Sequence, residues 1–398
     1  MKLRPLAWTK LGSAVIAQSL WADVKCGSSG VRVDPEEVAR EFRVDKPKPA
    51  TSQNRAAAGI VEIKKQSRVQ HLLDSKRSTN LSIVLSRFKV SNRVIQLSIW
   101  CLDEEVLEDE DVAALLTATP TPDEKVLLSG DGTATASDLG KPEQYLIAVM
   151  AVPRLSERLV AWHYMMTFRQ KLTEIAEQVK CLRSAIVTVM RSSSLVTVLA
   201  QVLAAGNFLN EGSFRGGALG VKIGGLTAIS DCKQTRAGKR NLSHSVARAV
   251  PKECIALVEE FSVVSDARKV DFKFLAASAE QLKAGFTNIT KELAATEQEE
   301  YAARATALSD SLGKADVLPA RLKSFTRDAG EKLESILTSV SQCGNELLEL
   351  CRFFELPSPK VVASCEEFAA EIFDNLCRFR DTLNGALKDN EHQEDRKP

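Results

Sequence analysis

No stretch of about 18 or more consecutive apolar residues occurs in this chain, so it offers no membrane-spanning helix. There is no HExxH and no CxxC. The four histidines (His71, His163, His244, His392) are scattered away from the cysteines, which excludes the common zinc geometries. GxSxG is also missing, and no His, Cys and Asp stand at a nucleophilic spacing. Neither a metal nor another cofactor is expected. Strand-like alternation and βαβ order are lacking, which leaves an all-α chain. Excess charge is missing as well: 53 basic against 52 acidic residues set up no global field toward nucleic acid or a membrane surface.

The nine cysteines are odd in number and most sit among apolar helical residues, the pattern of buried free thiols in a reducing compartment. The N-terminus opens with basic residues and a short apolar patch, as a signal peptide does. Gly12, Ser13, Gln18 and Ser19 break that patch, so mature structure in a cytoplasmic protein is the expectation.

What is present centres on Leu199 to Lys233, which carries seven of the 20 glycines. Glycine at that density costs backbone entropy and marks turns of positive φ or close backbone approach. It is not a phosphate loop: a Walker A motif needs Ser or Thr directly after its lysine, whereas Ile223 follows Lys222, and no strand precedes it. From 222 to 252 seven basic side chains face one acid, Asp231. That basic stretch has no interleaved aromatics, so nucleic acid is not the expected partner.

Around this centre the chain divides by pattern. Trp8 and Trp21 stand on an N-terminal arm, residues 1–21, outside any long amphipathic helix. Each needs a pocket of about 150–250 Å², either on its own chain or on another. Residues 22–34 are Gly/Ser-bearing and linker-like. Asp34-Pro35 reads as a helix start and 46–59 as a loop. Residues 67–145 are helical with polar interruptions; Ile83 and the Lys76-Arg77 pair do not fit the apolar face there. Thr119-Pro120-Thr121-Pro122 stops one helix, with Asp123 expected to cap the next. Lys141-Pro142 opens another that Pro153 kinks or ends, and Ser192-Ser193-Ser194 caps the helix leading into the glycines.

Beyond 270 the spacing becomes heptad. Leu275, Ala279, Leu282, Phe286, Ile289 and Leu293 form one series, and Leu322, Phe325, Ala329, Leu333, Ile336, Val340, Cys343, Leu347, Leu350 and Phe354 a second. With a polar break between them near 296–305, they predict an antiparallel helical pair of about 50 Å in an elongated fold. An apolar helix with Phe368, Ile372, Phe373, Leu376, Phe379 and Leu383 follows, then a charged tail over 391–398.

Several blocks in order resemble the formin homology-2 domain, the actin-assembling module of formins. They are Arg4-Pro5-Leu6-Ala7-Trp8 with Ser19-Leu20-Trp21, then Leu73-Asp74-Ser75-Lys76-Arg77-Ser78-Thr79-Asn80-Leu81-Ser82-Ile83, then Lys141-Pro142-Glu143-Gln144-Tyr145-Leu146. The most diagnostic is Gly206-Asn207-Phe208-Leu209-Asn210-Glu211-Gly212, continuing through Gly217-Ala218-Leu219-Gly220 to Asp231-Cys232-Lys233. Phe208 stands for the family's usual Tyr and Leu209 for its Met, both volume-conserving. The family commonly has an aromatic at Val221 and Thr at Cys232.

The resemblance covers 3–390 and implies a single domain over 1–390. Its parts would be a lasso (1–21), a linker (22–34), a knob (35–145), helices bearing a post (146–253), and coiled-coil and C-terminal helices (254–390), with 391–398 a disordered tail. It further implies a head-to-tail homodimer. Trp8 and Trp21 would anchor one lasso on the partner's post, formed by Gly206, Asn207, Phe208, Asn210, Gly212, Gly217 and Gly220. Actin would be held at its barbed end by Ile83 with Lys76 and Arg77 on the knob and by Lys233 near the post, giving nucleation and processive elongation without enzymatic chemistry. A barbed-end capper or bundler with weak nucleation is the alternative, and a helical regulator of a small GTPase a more distant one. The 13 prolines are dispersed, so profilin is implied only indirectly, through a proline-rich segment expected to lie outside this sequence.

Overall fold

A computed structural model describes residues 6–16, 19–27, 72–129, 139–234, 240–251, 257–354 and 365–394. The expected helix start at Asp34 and loop at 46–59 lie outside these residues. The described chain is helical, with no strand among the described residues and two isolated bridges, Lys10 with Val221 and Lys233 with Asn241.

The arm carries α1 (Ser13–Ile16) and α2 (Leu20–Gly27). Then come α3 (Ser75–Leu85), α4 (Asn92–Cys101), α5 (Asp109–Thr117), α6 (Pro122–Leu128) and α7 (Lys141–Met150). The 37-residue α8 (Leu155–Arg191) precedes α9 (Ser193–Leu209), a 3₁₀ turn (Ile223–Thr227), α10 (Ala228–Asp231) and α11 (Leu242–Ala249). After α12 (Leu257–Glu260) and α13 (Ser262–Ala267) follow α14 (Phe272–Thr296), α15 (Glu299–Leu312), α16 (Leu318–Phe354) and α17 (Cys365–Glu394).

Four of these differ from the sequence reading. The expected linker begins inside α2, because Leu20 and Val24, one turn apart, and Trp21 are all buried and give that segment an apolar face. The polar break at 296–305 is confined to two residues before α15; Tyr301, Ala305 and Leu308 bury one side of this helix. Thr121, rather than Asp123, caps α6: its hydroxyl accepts from the Glu124 amide at 3.2 Å and the Glu124 carboxylate returns to the Thr121 amide at 2.8 Å. A threonine three residues before a glutamate closes both bonds of a capping box, leaving Pro122 where its missing N–H costs nothing. At the other end, α17 runs to Glu394, into the stretch expected to be a tail. Ser192 caps α9 as expected, accepting from Leu195 N at 3.1 Å.

The chain forms two compact units, one of residues 53–174 and 279–336, the other of 1–52, 175–278 and 337–398. In the first, α3, α4 and α6 pack on α7, around Ile99, Trp100, Tyr145, Leu146 and Trp162. Tyr164, Phe168, Phe286 and Phe325 form an aromatic cluster whose centroids lie 5.1–6.5 Å apart, with two of the heptad phenylalanines in it. Tyr164 donates to the Leu282 carbonyl at 2.7 Å. Its ring lies so close to Gly285 that an added methyl would sit 2.3 Å away.

The same unit buries Arg158 completely. Its guanidinium donates to Asp316 Oδ1 at 2.6 Å, Tyr301 Oη at 2.8 Å and the Trp100 carbonyl at 3.0 Å, and lies 4.4 Å from the Trp100 ring centre. Asp316 also accepts from Tyr301 and from Leu318 N. Removing one partner of such a pair strands the other charge, at a cost of about 3–5 kcal/mol. Asp316→Ala should therefore lower the melting temperature by on the order of 10 °C. The double change Asp316→Leu with Arg158→Met should recover much of it. Calorimetry checks both; an unchanged Asp316→Ala melting point would contradict the pairing.

In the second unit α17 is the common support, with α11, the 3₁₀ turn, α12 and α13 against it, while α2 packs on α9. Among the described residues, Cys232, Cys343, Cys351 and Cys377 are buried and Cys101 and Cys181 half-buried, none of them in a disulfide. Burial pushes the Cys343 thiol up to about 12. No single described helix is long and apolar enough to cross a membrane.

Candidate functional site: the arm on the glycine surface

α9 is apolar on nearly every side, as a helix inside a core must be, and ends at Leu209 against a glycine-rich turn. Asn207 shapes that turn from within. Its Oδ1 accepts from Ala218 N at 2.7 Å and its Nδ2 donates to Ala218 O at 2.8 Å, so the side-chain amide takes the place of a neighbouring strand. Gly212 (φ 71°) and Gly217 (φ 63°) occupy the left-handed region, where a side chain is strained. Phe208 is half-buried beside them.

The arm of the same chain lies on this surface. Asn210, buried, meets the backbone of Leu6 twice: Oδ1 accepts from Leu6 N at 2.9 Å and Nδ2 donates to Leu6 O at 3.1 Å. Trp8 Nε1 donates to Arg215 O at 3.0 Å and Lys10 Nζ to Gly216 O at 2.9 Å. The Lys10–Val221 bridge is flanked by Leu11 N to Gly220 O at 3.1 Å and Lys222 N to Thr9 O at 3.0 Å. The glycines then explain themselves. A methyl on Gly206 would sit 2.2 Å from the Trp8 ring, one on Gly220 2.6 Å from Trp21, and one on Gly225 3.2 Å from Trp8 Cβ. Both indoles are buried.

This brings together Trp8, Trp21, Gly206, Asn210 and Gly220, with Asn207, Gly212 and Gly217 shaping the turn. The sequence reading missed the arm's own apolar contacts, Leu6, Ile16, Leu20 and Val24, all buried. The i, i+4 spacing of Ile16, Leu20 and Val24 is the signal that carries them. Gly225, a second support for Trp8, is visible only as one more glycine of the segment.

The residues expected to face actin divide differently. Ile83 is 63% exposed on α3, on the side away from buried Ser78 and Leu81. Lys76 is exposed in the first turn of α3, its amide bonded to the Asp74 cap at 3.1 Å. Arg77 turns inward: it reaches Glu124 Oε1 at 2.8 Å and the carbonyls of Thr119 at 2.7 Å and Thr117 at 3.1 Å, tying α3 to the α5–α6 corner. Burial alone would raise the Glu124 carboxyl, but the hydrogen bonds from Arg77 and Thr121 outweigh it and hold it below the usual carboxylate value. Lys233, in the other unit, is exposed and pairs through its backbone with Asn241.

Residues 1–383 match the family model described as Formin Homology 2 Domain. Among similar proteins of Arabidopsis thaliana, Formin-like protein 13 is 27% identical over 92% of this chain and 28% of its own length. Formin-like protein 20 is 28% identical over 75% of this chain and 18% of its own. Formin-like protein 3 of Oryza sativa subsp. japonica is 26% identical over 88% of this chain. The chain thus spans between about a fifth and just over a quarter of the length of these relatives. With the family model matched along almost its whole length, the chain belongs to the formin homology 2 family.

Proposed function

We propose that this chain assembles actin: as a homodimer it nucleates filaments and remains at the barbed end while subunits add. The observation that carries the reading is the arm on the glycine surface. Its contacts need only an arm and a post, so the arm of one copy can make them on the post of another. Two such exchanges close a ring of two, with Trp8 and Trp21 as its buried aromatic anchors. Each half then presents Ile83 with Lys76 on the knob, and Lys233 near the post, to an actin subunit. Arg77 contributes by holding α3 against its neighbours. Holding actin subunits in filament-like order lowers the entropic cost of the nucleus, with no cofactor chemistry required. The site of action would be the actin cytoskeleton of the cytoplasm. Profilin would enter only through a proline-rich segment elsewhere in a longer protein.

Single-filament fluorescence microscopy with this chain and purified actin tests the proposal. The expected result is more filaments at a given time, each growing from an end that stays protected from an added capping protein. Fewer filaments with static ends would favour a plain capper; no change in number or growth would overturn the proposal.

A further inference from the structure

The short pairing that carries Lys233 is bonded to the end of the C-terminal helix. Residues 232–234 and 240–242 form a short antiparallel pairing: Gln234 N donates to Arg240 O and Leu242 N to Cys232 O, each at 2.9 Å, with Lys233 opposite Asn241. Polar groups of the C-terminal helix bond to this pairing. Arg240 donates to Asn390 Oδ1 and, at 2.5 Å, to Gln393 Oε1. Asn390 Nδ2 donates to the His244 carbonyl at 2.9 Å. The buried His244 ring joins Asn241 Oδ1 at 2.9 Å on one nitrogen and Asp389 Oδ2 at 3.2 Å on the other, and Asn241 Nδ2 returns to Ser230 O at 3.0 Å.

We infer that the last turns of α17, through Asn390 and Asp389, act as a latch that positions Lys233 for its partner, with Arg240, Asn241 and His244 as the positioning residues. This rests on the proposed role of Lys233 in meeting actin. A lysine on a two-rung pairing loses orientation when the rungs open, because its long side chain adds rotational freedom to that of the backbone. The latch bonds run to the segment opposite Lys233, and Lys233 itself is exposed.

The test separates latch from contact. Asn390→Ala removes the acceptor for Arg240 and the donor to His244; Asn390→Asp keeps the acceptor. Without actin, hydrogen exchange at the amides of Gln234 and Leu242 should speed up about tenfold in Asn390→Ala and return toward the parent rate in Asn390→Asp. In seeded elongation, Asn390→Ala should weaken barbed-end affinity about tenfold, and Asn390→Asp, which keeps only the bond to Arg240, should restore it in part. Lys233→Ala should weaken affinity while leaving both amides protected, and adding Asn390→Ala to it should weaken affinity no further. Unchanged exchange in Asn390→Ala overturns the latch whatever actin does. Faster exchange with full actin affinity overturns the positioning role. A silent Lys233→Ala overturns the actin-contact reading itself, and the positioning role with it.

Discussion

Ile83→Ala should abolish actin nucleation in a pyrene-actin assay while leaving the fold and the oligomeric state untouched. The side chain is 63% exposed on α3, so truncating it opens no cavity and costs little stability. The helix does not depend on it either: Asp74 caps the first turn, Ser78 and Leu81 bury the opposite side, and Arg77 pins the corner through Glu124. An isoleucine held in water by a helix this well anchored is apolar area in search of a partner, worth about 2–3 kcal/mol when fully buried in one. The proposal gives each of two copies one such anchor, so the loss would be felt twice in a nucleus that needs both. Assembly kinetics that match the parent, with melting and sedimentation unchanged, would remove Ile83 from the actin surface. The neighbouring Arg77→Ala is the informative contrast: it should lower thermal stability as well as assembly, because it breaks four hydrogen bonds inside the unit.

That contrast shows what could be read from the sequence and what could not. The helical class, the punctuation at Ser192, Pro142 and Pro153, and the heptad phenylalanines all follow from spacing, since a period of 3.6 residues and a missing proline N–H act locally. Arg77 looks like surface charge for the same local reason. Only the fold brings Glu124 and the Thr117 and Thr119 carbonyls to it. Arg158 is a nearer miss: it lies three residues after Leu155 and four before Trp162, on the buried stripe of α8, and a charge on that stripe demands a partner. The identity of that partner, Asp316, is separated by 158 positions and carries no local signal. The arm lies between these cases. Two tryptophans and a cluster of glycines far along the chain announce a pocket and its floor, but only the geometry pairs Trp8 with Gly206 and Trp21 with Gly220.

Those two pairs lead to the second large effect, obtained by adding nothing more than methyl groups. Within α9, Gly206→Ala by itself should favour the helix by about 0.5–1 kcal/mol, since glycine is the costlier residue in a helix interior. Yet its new methyl would sit 2.2 Å from the Trp8 ring, and at Gly220 the methyl would sit 2.6 Å from Trp21. Neither indole can yield within its place: Trp8 is fixed by its bond to Arg215 O and Trp21 is packed against Ile16 and the glycine turn. Burying one such ring is worth about 4–6 kcal/mol by area, an upper bound that is nonetheless large against the helix gain. The double variant Gly206→Ala, Gly220→Ala should therefore release the arm and keep the rest of the chain folded. Two of the four tryptophans, Trp8 and Trp21, should then shift their emission toward that of indole in water while Trp100 and Trp162 stay buried. Sedimentation should report monomers where the parent sediments as a dimer, as Trp8→Ala with Trp21→Ala should also do. A parent that is monomeric at every concentration, with the arm still released by the methyls, would keep the arm on its own post and dispose of the exchanged dimer. Unshifted emission with an intact dimer would mean that the glycines are not the floor of the tryptophan sites.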